Sequence, residues 1–234
     1  MNRTLKIVVG VVIGLAVLIP AGTFVYLHFI QGDAPAPLSL SSTPSTTASG
    51  DNPTVSTPSG STSIAGTWRP TAQSIFGYRV KEVLFGQSKD AAGRTSKVTG
   101  TLVIDGDKVT TTDLSVDMAS ISSDSGRRDG EFRGRIMNVA KYPTATFKLT
   151  QPIQISDTAT GTISAKATGD LTLHGTTKTV SFDLKAQRDG AQFKVNGTIP
   201  IKFADWGIPN PSNTVASTED NGVLEFLVVF EKAT

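Results

Sequence analysis

Arg127, Arg128, Asp129, Glu131, Arg133 and Arg135 crowd into one short run, the densest group of chemistry-bearing side chains in the sequence. Guanidinium groups so spaced can meet the oxygens of an anion through paired N–H donors, and Arg128 and Arg133 are the candidates for holding a charged head group. The same run also fits a solvated helix face laced with mixed ion pairs. Asp129, next to Arg128, reads as a structural pair or a helix cap. Asp117 and Asp124 could do acid–base work, although acids near turns are common. His174, in a His-Gly turn, is expected to make local hydrogen bonds. The chain has no cysteine and His 2 in total, so thiol catalysis, thiolate metal sites and multi-histidine metal sites are not expected. No nucleophile-elbow pattern is present either. No catalytic residue, metal or cofactor is therefore assigned.

These residues need elements to position them. Phe132, Ile136 and Val139 or Ala140 recur at a three-to-four-residue spacing, which predicts a short amphipathic helix ended by Pro143. Tyr142, before proline, is expected to be extended already. Beyond it the pattern changes to a period of two. Ile163, Ala165, Ala167, Gly169, Leu171 and Leu173 alternate with polar residues, as do Val180, Phe182, Leu184 and Ala186, and the row from Phe193 through Val195, Gly197, Ile199 and Ile201 to Phe203. Leu114, Val116 and Met118 repeat the pattern more briefly, as do Phe147 and Leu149 before Pro152. Turn residues separate the runs at Asp105-Gly106-Asp107, His174-Gly175-Thr176 and Asp189-Gly190. Many one-sided antiparallel strands pair as a sandwich or close as a barrel, and closure removes exposed edges. Gly169 and Gly197 within strands favour a curved, hollow barrel.

Four segments divide the chain. Residues 1–6 carry Arg3 and Lys6 and are expected in the cytoplasm. Residues 7–30 form an uncharged, mostly apolar run, and a membrane-spanning helix needs about 20 such residues. This run exceeds the roughly 7 to 15 apolar residues of a cleavable signal. Residues 31–63 are dominated by Ser, Thr, Pro, Ala and Gly, a composition that predicts a disordered linker. Residues 64–234 have the size of one domain, placed outside the cytoplasm by this topology. With Lys+Arg 22 against Asp+Glu 20, no large basic surface is implied and nucleic acid is not an expected partner. Asn196-Gly197-Thr198 matches a glycosylation pattern, read here as a chance match inside a strand. No sequence feature specifies an oligomeric state.

Several pieces then fall in a recognisable order: Trp68, Asp117 with Ile121, Arg128-Asp129, and Lys141-Tyr142-Pro143-Thr144-Ala145-Thr146-Phe147. They continue with Gly169-Asp170-Leu171-Thr172-Leu173-His174-Gly175-Thr176-Thr177-Lys178 and Asp205-Trp206-Gly207-Ile208. Together they resemble the YceI-like polyisoprenoid-binding family across 64–234. The resemblance implies an all-β, lipocalin-like antiparallel barrel, with a short helix near its mouth and an apolar interior for a long isoprenoid or similar lipid. In such a barrel Phe132, Ile136, Phe147, Leu171, Leu173, Phe182, Leu184, Phe193, Val195 and Ile199 are the candidate ligand contacts. The chain departs from the family pattern at Gly130-Glu131-Phe132-Arg133-Gly134, at Ile136-Met137-Asn138-Val139-Ala140 and at Lys202-Phe203-Ala204, which bears on ligand identity more than on fold. The anchor and linker resemble membrane-tethered versions in high-GC Gram-positive bacteria. A cell-envelope interaction module with a solidly packed barrel is the alternative.

Overall fold

The computed structural model describes residues 34–42, 63–84, 86–155, 161–212 and 216–233. The expected cytoplasmic start, the membrane helix over 7–30 and most of the linker lie outside the described residues. Among the described residues no helix is long and apolar enough to cross a membrane.

The alternating rows become strands β1 (Gly66–Pro70), β2 (Ile75–Leu84), β3 (Gln87–Thr95), β4 (Val98–Asp105), β5 (Lys108–Asp117) and β6 (Thr144–Leu149). They continue as β7 (Ile153–Gln154), β8 (Thr162–Leu173), β9 (Thr176–Asp189), β10 (Gln192–Lys202), β11 (Ala216–Thr218) and β12 (Asn221–Lys232). Neighbours in the order β1-β4-β5-β6-β8-β9-β10-β12 are hydrogen-bonded, and β12 pairs back to β1 to close the barrel. Every pairing in that circuit is antiparallel. The expected barrel, rather than a sandwich, is therefore what these rows build.

Strand β12 is the seam. One edge pairs along its whole length with β10, from Gln192↔Glu231 to Lys202↔Asn221. Its other edge pairs first with β1, at Pro70↔Phe230, and then with β2, from Ile75↔Leu227 to Arg79↔Val223. Between the two, Ser74 is fully buried and its hydroxyl bridges Val229, accepting from the amide at 3.1 Å and donating to the carbonyl at 3.3 Å. The ladder thus stays satisfied where the backbone steps aside.

Both faces of β12 are buried. Leu224, Phe226, Val228 and Phe230 point inward, while Glu225, Leu227 and Val229 face outward and are 1%, 1% and 2% exposed. Residues 34–42 cover that outer face. Leu38 packs on Leu227 and Val229, and its carbonyl accepts from Asn196 Nδ2 at 3.1 Å. The carbonyl of Pro35 accepts from Arg79 at 2.5 Å and that of Ala36 from Arg94. The same two arginines pair with Glu225, at 3.4 and 2.7 Å. The expectation of disorder across 31–63 does not hold for these nine residues, because Leu38 and the prolyl backbone find an apolar wall with donors at its rim. Asn196 also donates to the Phe226 carbonyl at 2.9 Å, so its amide is committed within the wall.

The helix differs from expectation. It is α1 (Gly126–Glu131), capped by the Ser125 hydroxyl, followed by a wider π turn at Phe132–Ile136. It stops before Pro143 because Asn138 takes φ 42, the left-handed conformation that asparagine tolerates and that ends a helix. This excursion sits between β5 and β6, over one end of the barrel.

Candidate functional site

Two cavities lie end to end inside the barrel. Along β8 the first is lined by Ile163, Ala165, Ala167 and Leu171 and the second by Leu173. Along β10 the sequence is Val195 and Ile199, then Ile201. Along β12 it is Phe230, Val228 and Phe226, then Leu224. Phe76 of β2 lines both and marks the junction. The first, lower cavity leaves about 130 Å³ open to the centre of a water molecule and the second, upper cavity about 100 Å³.

The lower cavity has no charged side chain in its lining; Thr112 and Thr146 are its only hydroxyl-bearing residues. Its aromatic band explains the two glycines singled out in the sequence. A Cβ at Gly169 would stand 2.5 Å from Phe147 Cζ, and one at Gly197 2.7 Å from Phe226 Cζ. Rings on neighbouring strands lie over the bare glycines, so the missing side chains admit aromatic walls rather than empty space. Phe182 meets both rings edge to face, with centroids 5.4 Å from Phe147 and 5.8 Å from Phe226. The far end is shut by Trp68, 4% exposed, whose indole donates to the Ile64 carbonyl at 2.9 Å and whose ring meets Phe193 at 4.5 Å.

The upper cavity is built by the irregular elements. Phe132, Ile136 and Met137 from the helical excursion line it together with Phe203 and Ile208 beyond β10. The alternation of β2 sends Phe76, Tyr78, Val80 and Glu82 inward along one row. Tyr78 stacks on Phe132 with centroids 5.0 Å apart and planes 9° from parallel. Burial pushes the Tyr78 phenol well above its ordinary range, with Arg128 pulling the other way and Asp129, Glu82 and Asp124 adding to the rise. The phenol is therefore a neutral hydrogen-bond donor. Arg128 holds Glu82 at 3.0 Å through Nη2 and Asp124 through Nη1. Burial works to lower the Arg128 pKa, but the two carboxylates outweigh it and the net shift is upward. Asp129, 9% exposed, accepts from the amide and hydroxyl of Ser123 at 2.8 and 2.7 Å, which fixes the turn leading into α1.

The structure sorts the candidates named from sequence. Phe147, Leu171, Phe182, Leu184, Val195 and Ile199 line the lower cavity, and Phe132, Ile136, Leu173 and Arg128 the upper one. Phe193 lines neither, because it packs on Trp68 as part of the end plug. Arg133 lines neither, its Nη1 lying 3.5 Å from the Ile121 carbonyl. His174 takes φ 49, with Nδ1 3.3 Å from the Trp206 carbonyl and its ring edge-on to Tyr142 at 4.7 Å, a local arrangement. Sequence reasoning missed Phe76, Tyr78 and Glu82, although their period of two was there to read, and Phe226 and Val228, whose period was hidden by the buried outer face of β12. Among the described residues no cluster of His, Asp and Glu could hold a metal ion.

A closed antiparallel barrel with an apolar interior and a helical cap over one end defines a lipocalin-like class of cavity protein. The YceI-like domain model matches residues 67–230, and the chain belongs to that family. Relatives include a UPF0312 protein of Pseudomonas savastanoi pv. phaseolicola, 32% identical over 124 residues, covering 49% of this chain and 62% of the relative. Another, from Vibrio parahaemolyticus, is 36% identical over 101 residues, covering 40% of this chain and 51% of the relative. The match thus spans less than two thirds of these relatives' length. Similar solved structures include a polyisoprenoid binding domain from Saccharophagus degradans implicated in plant cell wall breakdown, with TM-score 0.56, 16% identity, and coverage of 72% of this chain and 99% of that one. Burkholderia cenocepacia BcnA gives TM-score 0.54 at 21% identity, covering 70% and 98%. These two likenesses show a shared fold.

Proposed function

We propose that this chain binds a long-chain isoprenoid or similar amphipathic lipid inside the barrel, the tail in the lower cavity and the head at the upper one. The observation that carries this is the uncharged lining of the lower cavity, walled by paired aromatic rings and shut at its far end. A barrel that worked only through its outer surface would have no use for that space. The family membership and the polyisoprenoid-binding relative support the same reading. Burying a tail contributes roughly 0.8 kcal/mol per methylene relative to water, but a bilayer offers the same gain, so selection falls to cavity shape and head-group contacts. The role is carriage or storage, with no reaction.

In this proposal residues 7–30 anchor the chain and the barrel lies outside the cytoplasm. With residues 34–42 docked on β12, only residues 31–33 separate wall from span, a reach of about 10 Å at roughly 3.5 Å per residue. The barrel is then held close to the bilayer instead of swinging on a long leash.

The test is native mass spectrometry and lipid extraction on the full chain, purified in detergent, beside an Ala165→Trp variant. Ala165 lines the lower cavity opposite Leu184 on β9. The wild type is expected to carry one lipid per chain, and the indole to fill the cavity and abolish the lipid while the fold is retained. Wild-type protein that neither carries nor takes up long-chain lipid would turn attention to the outer surface.

A further inference from the structure

On the lipid-carrier reading above, we propose that the bound lipid has an uncharged oxygen-bearing head group, a hydroxyl or carbonyl, and not a phosphate. The charges around the upper cavity decide this. Its only charged lining residues are Glu82 and Arg128, and they are paired with each other at 3.0 Å. Asp124 takes the other terminal nitrogen of the same guanidinium, so the cluster of Glu82, Arg128 and Asp124 is net negative by one charge.

Among the described residues no cation other than Arg128 lines the cavity. Arg133 approaches the Ile121 carbonyl, and Arg135 pairs with Glu131 at 3.1 Å while reaching the carbonyls of Asn210 and Pro211 at 3.3 and 3.1 Å. Arg127 is exposed on α1. A phosphate entering here would face two carboxylates already holding the one inward guanidinium, in a partly buried setting where charges are screened less than in water.

Tyr78 supplies a contact that an uncharged head can use. Its ring is held in place by Phe132 on one side, and among the described residues no group hydrogen-bonds its hydroxyl. A neutral phenol beside an apolar channel can donate to a carbonyl or hydroxyl oxygen without any ion pair being broken. The partners those arginines keep favour the reading of the run as a face of mixed ion pairs over that of an anion clamp.

The experiment loads the full chain, in detergent, with an equimolar mixture of one long-chain polyprenol and its own monophosphate, and reads both bound species by native mass spectrometry. The polyprenol is expected to exceed the monophosphate by about tenfold in occupancy. Glu82→Gln combined with Asp124→Asn frees Arg128 and should shift the ratio toward the monophosphate by about tenfold or more. Tyr78→Phe, which removes only the hydroxyl, should lower polyprenol occupancy several-fold by about the value of one hydrogen bond. It keeps the test alive if the double variant does not melt cooperatively. Wild-type preference for the monophosphate, or equal occupancy, overturns the proposal while leaving lipid carriage intact. Failure to bind either lipid overturns the carrier reading and this inference together.

Discussion

The two ends of the barrel are made differently. Around the lower cavity long strands pair with a register shift between β4 and β5 at Val103/Ile104, aromatic rings lie over glycines, and Trp68 with Ile64, Ile104, Val109, Val228 and Phe230 forms a packed plug. Around the upper cavity β3 meets the segment after β5 at an Arg94↔Ser122 bridge and a Thr95–Ser120 hydroxyl contact, and α1, the π turn and the segment after β10 line the space beside it. Charged side chains line only this second cavity of the two. On the proposed lipid-carrier reading the contrast separates two jobs: the plugged end supplies stability and room for an apolar tail, and the capped end supplies discrimination.

Removing the plug should have the largest effect on stability. Trp68→Ala leaves a cavity at a site 4% exposed and removes the donor to the Ile64 carbonyl. Loss of a buried aromatic side chain costs about 3–5 kcal/mol, and a chemical-denaturation midpoint should fall accordingly. If the ends are as distinct as their construction suggests, the variant's preference among lipid head groups stays that of the wild type as long as it remains folded. A changed preference would mean that the plug also shapes the upper cavity.

The matching change at the other end reverses the pattern. Glu82→Gln keeps the shape of the side chain and an oxygen for Arg128, which retains Asp124. The lost pair is partly buried, with side chains 17% and 13% exposed, so its removal should cost about 1 kcal/mol, near the upper limit for exposed pairs. Denaturation of this variant is expected to differ little from wild type. A loss comparable with that of Trp68→Ala would show that the ion pair holds the cap closed and that the capped end is structural after all.

The same division governs what the sequence revealed. The lower cavity was legible because one-sided strands write their inward row as a period of two, and six of the ten named contacts stand in its wall. Strand β12 was not legible, because residues 34–42 bury Leu227 and Val229 on the outside and erase the alternation. Those nine residues themselves look like linker by composition; only the apolar outer face of a strand far away in sequence gives Leu38 a place to pack. The upper site was half legible. Arg128 was named for its charge, but whether a guanidinium is free or spent depends on partners as distant as Glu82, which no local spacing discloses. Asn138, whose left-handed backbone ends the helical excursion, stands inside a run that reads as helix by periodicity alone.

The smallest effect is expected from the neutral phenol of the capped end, and pH isolates it. Burial raises the Tyr78 phenol above its ordinary value, so the folded protein keeps a proton that the unfolded chain releases at a pH of about 10. With fewer protons bound in the unfolded state, stability must fall as pH rises past that point, and the contribution is fully present below it. Tyr78→Phe cannot release this proton. The stability difference between wild type and variant should therefore be flat through neutral pH and shift in the variant's favour above a pH of about 10, as read from denaturation midpoints at stepped pH. If the two curves stay parallel there, the phenol ionises as readily folded as unfolded, and the capped end would be wetter than its packing against Phe132 implies.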